Sequence, residues 1–77
     1  MKHWNFPVYR KYSNNKVYFK IISLTEFEEI NISGTKVRKI SVIATIHPDR
    51  VRIMDMLENT GGYWEEASEK EWESYER

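Results

Sequence analysis

Apolar and polar residues alternate along the first half of the chain, and this period of two predicts β-strands. One run covers residues 16–24, in which Val17, Phe19 and Ile21 fall on one side. Such β-branched and aromatic side chains favour a pleated, half-buried surface. The longest run covers residues 36–46, and its apolar side consists of Ile40, Val42, Ala44 and Ile46.

Two shorter strands are predicted beside these runs. Residues 8–12 precede the pair Asn14-Asn15, and asparagine tolerates the left-handed conformation that tight hairpin turns need. Residues 27–32 precede a second turn at Gly34. A short strand is preferred for residues 27–32 over a helical turn, which the capping-box spacing just before them also allows. The first four predicted elements are therefore strands joined by short turns.

The second half of the chain changes to a spacing of three and four, which predicts a helix. Pro48 suits its first position, because the fixed φ of proline fits a helix and the missing N–H is not needed there. Ile53, Met54 and Leu57 cluster on one face. The run Asn59-Thr60-Gly61-Gly62 ends the helix, since glycine readily takes the left-handed conformation.

A short strand at residues 63–67 and a terminal helix complete the pattern. Ser68 and Glu71 have the spacing of a capping box, and the helix that they open carries Trp72 and Tyr75. The order β-β-β-β-α-β-α predicts an α+β fold, a small antiparallel sheet with two helices packed on one face.

A chain of 77 residues has room for one domain, residues 1–77, with a small core. Three Trp, five Tyr and three Phe supply large areas to bury. We expect the apolar faces of the clearest elements to form that core, namely Phe19, Ile21, Ile40, Val42, Ile53, Leu57 and Trp72.

Composition excludes several classes of protein. The chain has no cysteine, so no disulfide framework supports it. His3 and His47 are the only imidazoles, which leaves too few ligands for an ordinary structural zinc site. No apolar run approaches the roughly 20 residues of a membrane-spanning helix, and no signal peptide is apparent at the start. We therefore expect a cytoplasmic protein without a membrane partner, metal or cofactor.

Nothing in the sequence indicates catalysis. His47 and Asp49 lie at a strand-to-helix junction, but this placement is typical of an acid that favours a helix N-terminus. The carboxylates of residues 65–73 have no feature that separates the environments of two of them, as acid and base catalysis requires. No serine lies in a nucleophile motif, and the three glycines form no phosphate loop. The chain is therefore predicted not to be an enzyme.

Formal charge is unevenly distributed although its sum is zero. Residues 1–53 contain ten Lys and Arg against four Asp and Glu, a charge of +6, and residues 54–77 contain two against eight, a charge of −6. Such a division can steer a polyanion to one face, join subunits, or let the two halves attract each other within the fold. The last interpretation is the favoured one.

Basic and aromatic residues are interleaved near the start of the chain, and two functions fit them. The leading hypothesis is a protein-interaction module that self-associates through a sheet edge or an aromatic patch. The alternative is nucleic-acid binding, with rings that stack on bases and cations that contact phosphates. Packing of the same rings in the core would explain them without either function. The candidate binding surface consists of Trp4, Tyr9, Arg10, Lys11, Tyr12, Arg38, Lys39 and Trp64.

Overall fold

The computed structural model describes residues 4–76 and contains one five-stranded antiparallel sheet with two α-helices. The elements are β1 Val8–Tyr12, β2 Val17–Ser23, β3 Glu26–Ser33, β4 Lys36–Ile43, α1 His47–Glu58, β5 Trp64–Glu66 and α2 Glu69–Tyr75. Their order confirms the predicted β-β-β-β-α-β-α arrangement. Across the sheet the strands lie in the order β4-β3-β2-β1-β5. Each early hairpin therefore joins neighbours, and β5 pairs with the free side of β1.

Local conformations explain the turns and the helix ends. Asn15 and Gly34 have φ values of 59° and 62° in the turns that follow β1 and β3, a region open to asparagine and glycine. Asn59 takes the left-handed conformation at the end of α1. At the start of α2 the predicted capping box is present, since the Ser68 hydroxyl accepts from the backbone of Glu71 and the Glu71 carboxylate accepts from the backbone of Ser68.

The two helices lie on opposite faces of the sheet. α1 contributes Met56 and Leu57 to a core cluster that contains Phe19 of β2. α2 contributes Trp72 to a separate cluster that contains Tyr18 of β2. Because neighbouring residues of a strand point to opposite faces, Phe19 and Tyr18 assign the helices to different sides. We call these sides the α1 face and the α2 face.

The prediction that both helices pack on one face is therefore wrong. The reason is that the central strands are apolar on both sides: Phe27 and Ile30 of β3 are fully buried although they point to opposite faces. Helices on one side alone would leave Ile30 in water. The chain changes face at β5, since Trp64 at its start packs into the α1-face cluster and Ala67 after its end packs into the α2-face cluster.

The predicted core is confirmed except on β4. Ile40 is 38% exposed and Val42 is half-buried, because β4 lies at the edge of the sheet. This strand also ends at Ile43, whereas the sequence predicts that it continues to residue 46. The confirmed residues are Phe19, Ile21, Ile53, Leu57 and Trp72. Further buried residues that the prediction omits are Tyr18, Phe27, Ile30, Ala44 and Met56.

Candidate functional site

The eight residues of the candidate binding surface are divided between the two faces of the sheet. Consecutive residues of β1 alternate between faces, so Tyr9 and Arg10 cannot belong to one contiguous surface. The structure therefore does not bring the eight residues together. Arg10, Tyr12, Arg38 and Trp64 lie on the α1 face, Trp4 packs against the α1-face cluster, and Tyr9, Lys11 and Lys39 lie on the α2 face.

The aromatic members of the set are packing residues. The Tyr9 ring lies 6.2 Å from that of Trp72, and the Tyr12 ring meets that of Phe19 edge to face at 5.4 Å. Both tryptophans of the set are half-buried against the α1-face cluster. Burial, together with the carboxylates of α2, also raises the pKa of the Tyr9 hydroxyl. These rings are used within the fold and offer no row of free faces for stacking on bases.

Arg10 binds the C-terminal end of α1. Its Nε donates to the carbonyl of Met56 at 3.0 Å and its Nη2 donates to that of Leu57 at 3.2 Å. Its Nη1 donates to the carbonyl of Tyr9 at 3.1 Å. The last turn of α1 contains no basic residue of its own, so the guanidinium supplies the positive charge that a helix C-terminus favours. Arg10 is therefore a structural cation.

Lys11 connects β1 to the start of α2. Its Nζ lies 2.9 Å from Oε2 of Glu71, and the Tyr18 hydroxyl lies 3.5 Å from the same oxygen. The hydrogen bond to Glu71 raises the pKa of Lys11. The ammonium, with the backbone N–H of Ser68, lowers the pKa of Glu71. This pair holds the first turn of α2 over the sheet.

Lys39 connects β4 to the end of α2. Its Nζ binds the Glu76 carboxylate and lies 3.6 Å from Oε2 of Glu28 on β3. The hydrogen bond with Glu76 raises the pKa of Lys39 and lowers that of Glu76. Two carboxylates thus neutralise the basic residue in the middle of β4.

Of the two cations of the candidate set that are exposed to solvent, Lys39 is ion-paired within the described part of the chain and Arg38 is not. It lies on β4 opposite Asn31 of β3, and it forms no ion pair with any residue between 4 and 76. One exposed arginine is a weak electrostatic footprint for a nucleic acid, which requires several phosphate contacts.

The outer edge of β4 is the longer of the two sheet edges. Ala44, directly after β4, donates its N–H to the carbonyl of Thr25 at 2.7 Å, and the backbone groups of an antiparallel strand alternate sides. Even-numbered residues of β4 therefore bond to β3, and odd-numbered ones point away from the sheet. The outward residues are Val37, Lys39, Ser41 and Ile43.

These outward backbone groups are almost all unpaired. Across residues 4–76 they have no hydrogen-bond partner, except that the carbonyl of Ile43 accepts from Thr45 N–H at 3.0 Å. The edge also exposes large apolar side chains: Val37 is 45% exposed, Ile40 38% and Ile43 66%. A long edge with free backbone groups and apolar side chains is a template to which a further strand can add.

The opposite edge of the sheet is much less suited to strand addition. β5 is three residues long, and Glu65 and Glu66 are both exposed. Short edge strands with charged side chains are a common way to prevent pairing with another chain. The two edges of this sheet therefore differ in length, in apolar exposure and in the sign of their charge, which is acidic on β5 and basic on β4.

A shallow groove lies beside β4 on the α2 face. It has a volume of about 360 Å³ and is lined by Val37, Lys39, Ser74, Tyr75 and Glu76. Its cation and carboxylate are already paired with each other. The groove therefore offers an apolar wall, formed by Val37 and Tyr75, rather than a free charged site.

Sequence reasoning did not identify the β4 edge as a specific site. It assigned Ile40 and Val42 to the core, because an edge strand and a central strand have the same alternation. The signal that marks the edge is Lys36, Arg38 and Lys39 within four residues, since edge strands tolerate lysine and charge where central strands do not.

Comparisons with known protein families, with curated proteins and with solved structures find no match to this chain. Between residues 4 and 76 no three His, Cys, Asp or Glu side chains lie close enough together to hold a metal ion. The described helices are all too short or too polar to cross a membrane.

Proposed function

We propose that this chain is a non-enzymatic protein-interaction module that self-associates through the outer edge of β4. The observation that carries the proposal is the coincidence of unpaired backbone groups with exposed apolar side chains along this eight-residue strand. Strand addition satisfies the backbone groups and removes the side chains from water in one step. Lys39, the base nearest the middle of the strand, is neutralised by carboxylates of its own chain, which lowers the charge that an approaching strand meets.

The nucleic-acid alternative has less support. The rings that would stack on bases pack within the fold, and Arg10, Lys11 and Lys39 bind groups of the same chain. It stays a prediction that an oligonucleotide mobility assay at two salt concentrations tests, because phosphate contacts weaken steeply as salt increases.

Sedimentation velocity from micromolar to millimolar protein tests the proposal. We expect the native chain to form an oligomer whose population rises with concentration. Ile40→Lys should remain monomeric, because it places a charge at the centre of the apolar edge without disturbing a buried contact. Leu24→Lys is the matched control: Leu24 is 49% exposed and lies in the turn between β2 and β3, so its variant should associate like the native chain.

Three results would contradict the proposal. The native chain could stay monomeric at every concentration, the Ile40 variant could associate normally, or the Leu24 variant could be equally impaired. Far-ultraviolet circular dichroism of both variants establishes that each keeps the fold, so loss of association is not confused with unfolding.

A further inference from the structure

We infer that two copies of this chain pair β4 with β4 in antiparallel fashion about a two-fold axis at Ile40, which produces one continuous sheet of ten strands. The inference rests on the proposed function and specifies its partner and register. A two-fold axis perpendicular to the sheet keeps the α1 faces of both copies on one side. The interface is then the same edge used twice, which closes the assembly as a dimer.

Hydrogen bonding restricts the register. Backbone groups that point away from the sheet belong to odd-numbered residues, so each hydrogen-bonded pair must join odd to odd. A centre at Ile40 pairs Val37 with Ile43 of the second copy and Lys39 with Ser41 of the second copy. This register includes all four outward residues of each strand, and the Ile43 carbonyl, which already accepts from Thr45 N–H, would accept a second hydrogen bond. A centre at Lys39 or at Ser41 uses only three of them within β4.

Charge selects the same register. Two like charges that lie directly opposite each other on paired strands destabilise the pair. A centre at Lys39 would set this lysine against its own copy, and a centre at Arg38 would do the same with two arginines. With the centre at Ile40, every base of β4 faces an uncharged residue. Lys36 faces Ala44, Arg38 faces Val42, and Lys39 faces Ser41, which lies opposite Glu28 in its own sheet.

Apolar side chains meet in the same register. Ile40 lies against Ile40 of the second copy on the α1 face. On the α2 face, Ile43 of the second copy lies beside Val37, at the side of the groove that Val37 and Tyr75 line. Ile43 is the most exposed of the apolar side chains on β4, and this register gives it an apolar neighbour. The most exposed apolar group and the apolar groove are thus brought together by one operation.

Single cysteines test the register directly, because the chain contains none of its own. Directly opposed residues of a pair without mutual hydrogen bonds have Cα atoms about 4.5 Å apart, which is within the range that a disulfide spans. Under mild oxidation Ile40→Cys should therefore form a covalent dimer in high yield. Arg38→Cys should not, since the two positions 38 would lie four residues apart along the strands, roughly 13 Å.

Lys39→Cys and Leu24→Cys complete the scan. Efficient crosslinking at 38 or 39, with none at 40, would show a different register and overturn the inference. Equal crosslinking of Leu24→Cys would show random collision and overturn it as well. Both outcomes leave the proposed function standing if the native chain self-associates. A native chain that stays monomeric overturns the two together.

Sedimentation velocity distinguishes the closed dimer from an open, head-to-tail oligomer. If the basic β4 edge instead paired with the acidic β5 edge of another copy, the contact would be head to tail, and assembly would continue beyond two. We expect one oligomeric species, a dimer, whose dissociation constant changes less than about twofold between low and high salt, because its contacts are backbone and apolar. Larger, salt-sensitive species would overturn the two-fold pairing.

Discussion

Replacing Arg10 by Gln should destabilise the fold although this residue looks like a surface cation in the sequence. Its guanidinium donates to the carbonyls of Met56, Leu57 and Tyr9 at 3.0 to 3.2 Å. Hydrogen bonds to a charged group contribute about 1.5–3 kcal/mol in net terms, and a cation at a helix C-terminus contributes roughly 0.3–1 kcal/mol. Because Arg10 is half-buried, we expect the Gln variant to lose about 2 kcal/mol of unfolding free energy, which is near the middle of the range for the hydrogen bonds.

Urea denaturation followed by tryptophan fluorescence measures this loss. A domain of this size has roughly 5 kcal/mol of stability, so the midpoint should fall by a large fraction. Arg38→Gln is the matched control, because it makes the same change at an exposed arginine and should alter stability by less than about 0.5 kcal/mol. Dilute protein keeps association from adding to the result. A loss below about 0.5 kcal/mol for the Arg10 variant would refute its role at the end of α1.

Two further predictions concern the core and the attachment of α2. Leu57→Ala should cost about 2–5 kcal/mol in denaturant melts, because it leaves a cavity in the α1-face cluster, and Val51→Ala, at an exposed position of the same helix, should cost far less. The pKa values of Glu71 and Glu76 are lowered in the fold by their lysine partners. Their contribution to stability is therefore complete above the ordinary glutamate value of 4.5 and is lost as the pH falls through the lowered value. The pKa values of the lysine partners are raised, so their contribution is lost as the pH rises through the raised values. Near-ultraviolet circular dichroism should show α2 loosening at both extremes, and replacement of both glutamates by Gln should remove the acid transition.

Local sequence signals were sufficient to predict the order of the elements. The period of two along β2, the asparagine pair before it, and the capping box of Ser68 and Glu71 each rest on contacts within a few residues. The face of the sheet on which α2 packs could not be predicted from such local signals. The sequence of β3 does indicate that α2 lies on the second face, because Phe27 and Ile30 are both apolar and lie three residues apart. Residues of a strand that are an odd number of positions apart point to opposite faces of the sheet. Two apolar residues at this spacing therefore require a packed layer on both faces.

Five of the eight candidate residues were predicted from the composition of one continuous segment, residues 4–12, and a β-strand within that segment turns its successive side chains to opposite faces. Tyr9 and Lys11 face α2, whereas Arg10 and Tyr12 face α1. The sheet thus divides the aromatic and basic residues of this segment into two groups, and one helix covers each group. Sequence alone could not show this cover, because the partners that bind Arg10 and Lys11 are more than forty residues away.

Ion pairs within the chain bear on how β4 can use the charge asymmetry. Lys11 with Glu71 and Lys39 with Glu76 join the basic half of the chain to the acidic half within one molecule, so part of the asymmetry is neutralised before any partner arrives. The lysine at the middle of β4 is then no longer a free charge. We therefore expect the proposed association through this edge to rest on backbone hydrogen bonds and on Ile40 and its apolar neighbours. Salt should therefore change it little, since screening acts on exposed charges. Strong weakening by salt would instead indicate that the exposed acids of β5 meet the remaining bases of β4.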